Sequence, residues 1–471
     1  MNPLSSNHRR SRLPLLVLLV LVLCGVLAGG WYFWPRFESE PPQISIAPDA
    51  DVVGTAPLEI QVTDKGTGLK AITASLLQGG TEQTLAMEQF DRPASEKRIT
   101  VALAKAPGVK EGPAVLRVSA RDASLWRGNE ATVEKNVTID ITPPALELIA
   151  DDRYVNFGGV GVIVYKASTD TASSGVKFGD RTFPGFAGQV KGHPDYVVAL
   201  FAHPYDAPPE ARPVLLATDK AGNTRELRLT YELKNVKYKK STIALTDSFL
   251  QNKVAPLLSD SAMRQGSPKE IFVAVNKQLR KENEDQIVAI TSKATPSMLW
   301  KDAFAQLSNS KVEANFADYR TYTWNGEPID DAYHLGYDLS VTKHYPVEAS
   351  NSGTVAFAGD LGIYGNTVVL DHGLGLFTLY GHLSSIDVKA GDSVTKRQVL
   401  GKTGETGLAG GDHLHFGVYL DGVAVLPVEW WDQKWIDDNI APKLDGRSGQ
   451  EIAEARKPLK ATKKGGGKRR R

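Results

Sequence analysis

One cysteine, Cys24, occurs in 471 residues, so the chain can close no disulfide on itself and can build no cysteine-based zinc centre. Charge of one sign is lacking too. Fifty-five Lys and Arg face 54 Asp and Glu, a net charge of +1, which removes the bulk electrostatic basis for binding nucleic acid. Apolar content is ordinary at 42%, and that excludes disorder of the whole chain. Histidine is scarce, with nine in all, yet His334, His344, His372, His382, His413 and His415 fall within one window of about eighty residues. Such crowding of a rare, chemically versatile residue asks for a chemical reason.

What is present begins with a basic flank, Arg9, Arg10 and Arg12, followed by an uncharged apolar run from Leu13 to Phe33. About twenty apolar residues can span a bilayer. Trp31, Tyr32 and Trp34 at the far end resemble an interfacial aromatic belt, and the basic flank should remain cytoplasmic. Residues 1–12 are therefore read as a cytoplasmic N-terminus and 13–34 as a signal anchor crossing the inner (cytoplasmic) membrane once. The remainder is then exported to the periplasmic or extracellular side. Val26-Leu27-Ala28 offers a competing cleavage site, and cleavage there would export the same chain. Leu23 before Cys24 excludes a lipoprotein, because a small residue is required there.

A chain of this length exceeds one hydrophobic core and suggests about three folded units at roughly 150 residues each. From 41 to 141, short β-rich runs such as Leu58 to Val62 and Ala114 to Val118 are separated by turn residues, the pattern of an antiparallel sandwich. A second copy is expected over 142–235. Thr142-Pro143-Pro144 echoes Pro41-Pro42, and Asp219-Lys220-Ala221-Gly222-Asn223 echoes Asp122 with Gly128-Asn129. Both are similar to immunoglobulin-like modules; they would serve as a spacer or stalk, or grip glycan, a partner or the catalytic domain.

Over 236–314 the pattern turns helical. Ser267-Pro268-Lys269-Glu270 combines an N-cap, a first-turn proline and a glutamate three residues after the cap, and Thr295-Pro296 marks a second start. This segment could lie over the site that follows it. Residues 315–432 read as a dense β domain of short strands and glycine turns, such as Val355 to Ala358, Thr367 to Leu370 and Leu376 to Tyr380. Regularity ends after Trp435, and 440–471 reads as a disordered basic tail: nine of the last sixteen residues are Lys or Arg. Such a tail could attach to an anionic envelope polymer. The architecture expected is mainly β with an N-terminal helix and one short helical segment.

Within the β domain, His413-Leu414-His415-Phe416 alternates as a strand does, placing two imidazoles on one face. His334-Leu335-Gly336-Tyr337-Asp338 adds an imidazole and a carboxylate four residues apart around a glycine. Two imidazoles and a carboxylate suit zinc, which in catalytic sites takes three protein ligands and keeps a corner for water.

Four motifs in order carry a resemblance to the lysostaphin/LytM-type zinc endopeptidases over about residues 316–432. They are His334-x-Gly336-x-Asp338, Gly365-Asn366-Thr367 through Asp371-His372-Gly373, Tyr380-Gly381-His382-Leu383-Ser384 and His413-Leu414-His415-Phe416. The resemblance implies an antiparallel β peptidase domain in which His334, Asp338 and His415 hold Zn2+ and His382 and His413 are catalytic without binding it. It further implies hydrolysis of stem or cross-link peptides of peptidoglycan, with no nucleic acid partner. His344 and His372 receive a solvated or structural role. Ala317-Asp318-Tyr319-Arg320 departs from the family in lacking a glycine near the arginine, and this wall is left unassigned. The alternative is a wall-binding adaptor, or an activator of other wall hydrolases, that keeps the fold without turnover.

Overall fold

The computed structural model describes residues 13–33, 38–103, 106–125 and 128–456. The basic N-terminal flank, Trp34 and the Lys/Arg-rich stretch from 457 lie outside them. Leu13–Phe33 is a helix whose described side chains are exposed, including Val17, Leu21, Leu27 and Trp31. Among the described residues no helix is long and apolar enough to cross a membrane; the side chains of this helix are described for 17–32 only.

The chain divides into two compact units, residues 1–143 with 218–224, and residues 144–217 with 225–471. In the first, a three-stranded sheet (Gln43–Ala47, Leu58–Thr63, Glu96–Val101) accompanies a five-stranded sheet built around Gly112–Asp122 and Leu69–Gln78. Strand alternation explains its core. Leu58, Ile60 and Val62 are buried from one sheet, Leu116 and Val118 from the other, while the intervening residues face out.

The second unit contains a four-stranded sheet within residues 146–202, most of another that ends at Arg228, and the C-terminal β domain. Of the roles left open for 142–235, spacer or grip, the packing favours a grip on the domain that follows, because residues of both share one core. Val162, Val164 and Phe201 belong to one apolar cluster with Trp300, Phe304, Phe416 and Trp430. Polar groups fasten the same junction. Leu426 N–H donates to Gly158 O at 2.8 Å, Val160 N–H donates to the Glu429 carboxylate at 2.9 Å, and the fully buried Lys443 ammonium donates to Asp152 and to Val162 O. The module grips the domain directly.

Between the two lies a mixed segment. Ser267 and Glu270 form the expected capping box at the start of Pro268–Val273, and the helical chain continues through a π turn into Arg280–Thr291. Two expectations are corrected. Lys240–Leu245 is a strand, paired parallel with Asp318–Trp324. No helix follows Thr295-Pro296, because the Thr295 N–H and hydroxyl both donate to Asp371 Oδ2, at 2.8 and 2.6 Å, which removes the cap. The irregular stretch expected after Trp435 is also helical, in Gln433–Asn439, Ala441–Leu444 and Gly449–Ala455.

The C-terminal domain is an eight-stranded sheet in the order Lys311–Ala314, Tyr337–Ser340, Leu414–Leu420, Leu376–Leu383, Asn366–Gly373, Gly353–Asp360, Ser393–Val394, with Val423–Val425 beside Leu414–Leu420. Leu414–Leu420 and Leu376–Leu383 are buried at every position, so both sheet faces are covered.

Candidate metal centre

Three neighbouring strands set the site. In the ladder Asp338 lies opposite His415, and His415 lies opposite Gly381, so His382 sits one residue along the same row. His334 ends the Glu327–His334 strand and enters from the side, paired with Asp318. Four residues that are up to 81 positions apart in sequence are thereby brought within one ladder spacing or two.

The three side chains of the expected ligand set converge on one point. His334 Nε2 lies 2.9 Å from Asp338 Oδ1, His415 Nδ1 lies 3.1 Å from the same oxygen, and the two imidazole nitrogens are 3.0 Å apart. Backbone fixes the tautomer of the first, since His334 Nδ1–H donates to Asn315 O at 2.9 Å and leaves the Nε2 lone pair facing inward. With the His415 proton on Nε2, three lone pairs would face one point and could be shared by a cation. Tetrahedral zinc at about 2.0–2.1 Å from each donor sets donors about 3.3 Å apart, so this donor set fits zinc. His334, Asp338 and His415 also form a candidate metal-holding group among the described residues.

The other two histidines stand beside this point. His413 Nδ1–H donates to Gly411 O at 2.8 Å, which turns Nε2 toward Asp338 Oδ1, 3.4 Å away. His382 Nδ1–H donates to Thr406 O at 2.8 Å, and its ring centroid is 4.8 Å from that of His413. His382 holds a φ of +62°, a left-handed conformation that a non-glycine residue adopts only where its surroundings impose it.

Electrostatics separates the group. Burial opposes the Asp338 charge, yet His334, His413 and His415 hold its carboxyl well below the usual range. Burial pushes His415 down to about 4 against the pull of Asp338, so its ring is neutral and free to bind a metal near pH 7. Burial together with His413 and His415 holds His382 well below its ordinary value, whereas His413 is raised: burial opposes its charge, but Asp338 outweighs it.

A cleft of about 560 Å³ opens onto these groups. Its lining includes all five residues, Ile363 and Tyr364, and a wall from the upstream segment through Ser241, Leu245, Phe249 and Phe272. The two remaining histidines of the cluster stand apart. His372 is fully buried between Ser352 O and the Thr378 hydroxyl, each at 2.7 Å, while His344 is mostly exposed and lies 3.9 Å from Asp412.

Residues 332–427 match the family described as Peptidase family M23. The chain carries an M23 peptidase domain. Over 95 residues the M23 region is 40% identical to the DD-carboxypeptidase/endopeptidase Mpg of Neisseria meningitidis, a match covering 20% of this chain and 22% of that protein. It is 38% identical over 117 residues to the peptidoglycan DD-endopeptidase ShyA of Vibrio cholerae, covering 24% of this chain and 26% of that one. The match thus spans about a fifth to a quarter of these relatives. Among solved structures, the catalytic domain of the antimicrobial peptidase lysostaphin from Staphylococcus simulans is 29% identical, with 28% of this chain and 98% of that chain covered and a TM-score of 0.25.

Several contributors to the M23 centre carry no mark in the sequence. The carbonyls of Asn315, Thr406 and Gly411 that orient three of the imidazoles come from the backbone, which every residue type supplies. Arg320 is different. It was legible as an arginine in the unassigned wall, and it donates from Nη2 to Asp338 Oδ2 at 3.0 Å.

Proposed function

We propose that this protein is a membrane-anchored zinc metalloendopeptidase that hydrolyses peptide bonds in the stem or cross-link peptides of peptidoglycan. The observation that carries the reading is the meeting of His334 Nε2, Asp338 Oδ1 and His415 Nδ1 within 3.1 Å of one another, beside His382 and His413, in an M23 domain. The name of the Vibrio relative suggests the substrate class, and that of the Neisseria relative an endopeptidase.

His334, Asp338 and His415 would hold Zn2+, which when bound supplies an acidified water and Lewis-acid polarisation of a carbonyl. The remaining steps belong to the chain's own groups. His382 and His413 are both anchored through Nδ1–H to backbone carbonyls, with His413 Nε2 3.4 Å from Asp338 Oδ1; one ring would accept a proton from the attacking water and the other return one to the departing amine. The same pair can stabilise negative charge on the tetrahedral intermediate when one ring is protonated. The cleft wall of Ile243, Phe249 and Leu408, all part-exposed, offers apolar surface to the peptide.

Anchoring rests on the apolar run from Leu13 to Phe33, with Arg9, Arg10 and Arg12 before it and the catalytic domain on the periplasmic or extracellular side. The basic C-terminal stretch from 456 would contact anionic envelope polymer. Residues 41–141 and 142–235 are a tandem of immunoglobulin-like modules in this reading. A shared clasp supports the repeat: Asn129 donates from N and Nδ2 to the two oxygens of Asp122, both at 2.7 Å, and Asn223 does the same to Asp219 at 2.8 and 3.0 Å.

The test uses purified sacculi and the protein lacking residues 1–37. Peptide fragments identified by mass spectrometry should appear with zinc, vanish with a chelator and return on zinc addition. His415→Ala should lose both zinc and turnover, whereas His413→Ala should retain zinc and lose turnover by at least a hundredfold. Binding to sacculi without any released fragment, with zinc present, would reassign the protein as an adaptor.

A further inference from the structure

The ligand geometry leaves one oxygen of Asp338 to be accounted for. Oδ1 faces His334, His413 and His415 at 2.9, 3.4 and 3.1 Å, and Oδ2 is turned away from them to accept a hydrogen bond from Arg320 Nη2 at 3.0 Å. Arg320 is itself held. Its side chain is 18% exposed, its Nε lies 3.7 Å from Asp318 Oδ2, and Asp318 is 5% exposed. The Ser241 hydroxyl lies 2.7 Å from each oxygen of Asp318 and donates to that carboxylate. Ser241 belongs to Lys240–Leu245, paired in parallel with Asp318–Trp324 so that Ser241 sits opposite Arg320. The series Ser241, Asp318, Arg320, Asp338 therefore runs from a strand well outside residues 332–427 to the point where the imidazoles meet.

We propose that Arg320, steadied by Asp318 and Ser241, is a positioning residue for the metal: by occupying Oδ2 it restricts Asp338 to offering Oδ1 alone. This rests on the ligation proposed above. A carboxylate free to rotate can offer both oxygens to a cation, and the second oxygen would take the corner that substrate and water need. A guanidinium is suited to prevent this, since its planar donors fix a carboxylate in orientation as well as in charge. The charges agree with the role. One Arg between two carboxylates leaves a net negative charge beside the cation site, so the cation is still favoured while one oxygen is withheld. The strand that supplies Ser241 thereby becomes part of the metal centre.

The test measures metal binding in the full exported chain by competition with a chromophoric zinc chelator, without reference to turnover. Arg320→Met should weaken zinc binding about 10–100-fold. The cobalt-substituted protein should show a weaker visible spectrum, the mark of a coordination number above four. Metal-free thermal stability and circular dichroism of the variant report the fold separately. Arg320→Lys, which keeps the charge and one donor, should recover part of the affinity. Ser241→Ala should weaken zinc binding a few-fold in the wild-type background and not at all beside Arg320→Met, because both act through one contact. Unchanged zinc affinity and cobalt spectrum in Arg320→Met, or additive effects of the two substitutions, would overturn the proposal. If Arg320→Met fails to fold, the Arg320→Lys and Ser241→Ala measurements decide it by the same criteria. Wild-type protein that binds no zinc would instead refute the proposed ligation.

Discussion

Gly336 shows why the spacing of the first motif tolerates so little. A Cβ at this position would stand 2.6 Å from Phe416 O and 2.7 Å from Cε1 and Nε2 of His415, distances at which something must move. The backbone oxygen lies within a strand pair, Tyr337 with Phe416, and resists displacement. The imidazole must therefore give way. Gly336→Ala is expected to keep the fold and lower zinc affinity about 10–100-fold, read by chelator competition beside a circular dichroism spectrum. Affinity equal to wild type would mean that the ring relaxes without cost and that the glycine serves only the turn. His382 gives a second case of constraint at one residue. Its positive φ is held by the Thr406 carbonyl on Nδ1, and Thr406 is itself fastened through its hydroxyl to Leu383 O at 2.9 Å.

At the scale of elements, the short helix Pro427–Trp431 places one titratable group where solvent is absent. Glu429 accepts from Asn156 Nδ2 at 2.7 Å and from Val160 N–H at 2.9 Å, and burial raises its carboxyl to about 8. In the unfolded chain the same carboxyl titrates near 4.5, so the folded state binds the proton more tightly. This contribution to stability is complete below about pH 4.5 and is lost as the pH rises through 8, at no more than about 1.4 kcal/mol per pH unit. Thermal melts of residues 144–456 should therefore fall between pH 5.5 and 8.5. The fall should be smaller in Glu429→Gln, where Asn156 can flip to keep a partner. An equal pH slope in both proteins would place the titrating group elsewhere.

Elements differ in how far their sequences announce them. The capping box at Ser267 is a local pattern and is formed as the spacing implies, whereas the strand read from His413-Leu414-His415-Phe416 begins at Leu414 and is buried at every position rather than on alternate ones. The convergence of His334, Asp338 and His415 was legible only through motif resemblance, because no local pattern encodes which strands become neighbours. Lys240–Leu245 was missed for that reason: its partner lies some eighty residues on, across a helical segment. Thr295-Pro296 misled because a long-range carboxylate, Asp371, took the capping group. The helix Gly449–Ala455 carries a capping box, Ser448 with Glu451, that the basic composition of the tail obscured.

For the second unit as a whole, the question is whether the module over residues 146–228 and the M23 domain unfold together. The buried pair Lys443 and Asp152 lies where they join, with Lys443 1% and Asp152 3% exposed at the side chain. Asp152 also accepts from Val162 N–H at 2.6 Å, so the carboxylate ties a strand of the module to a helix of the domain. Removing one member leaves the other charged in a dry site, a loss of about 3–5 kcal/mol. Lys443→Met should therefore lower the melting temperature of residues 144–456 by several degrees, whereas Lys443→Met with Asp152→Leu should regain most of it. Since Val164, Phe201, Phe416 and Trp430 share one apolar cluster, calorimetry of residues 144–456 should show a single transition, with equal calorimetric and van't Hoff enthalpies. Lys443→Met should shift that transition without splitting it. Two resolved transitions in the wild type would mean that the module is an attached spacer after all, and that the shared core is too weak to couple it to the M23 domain.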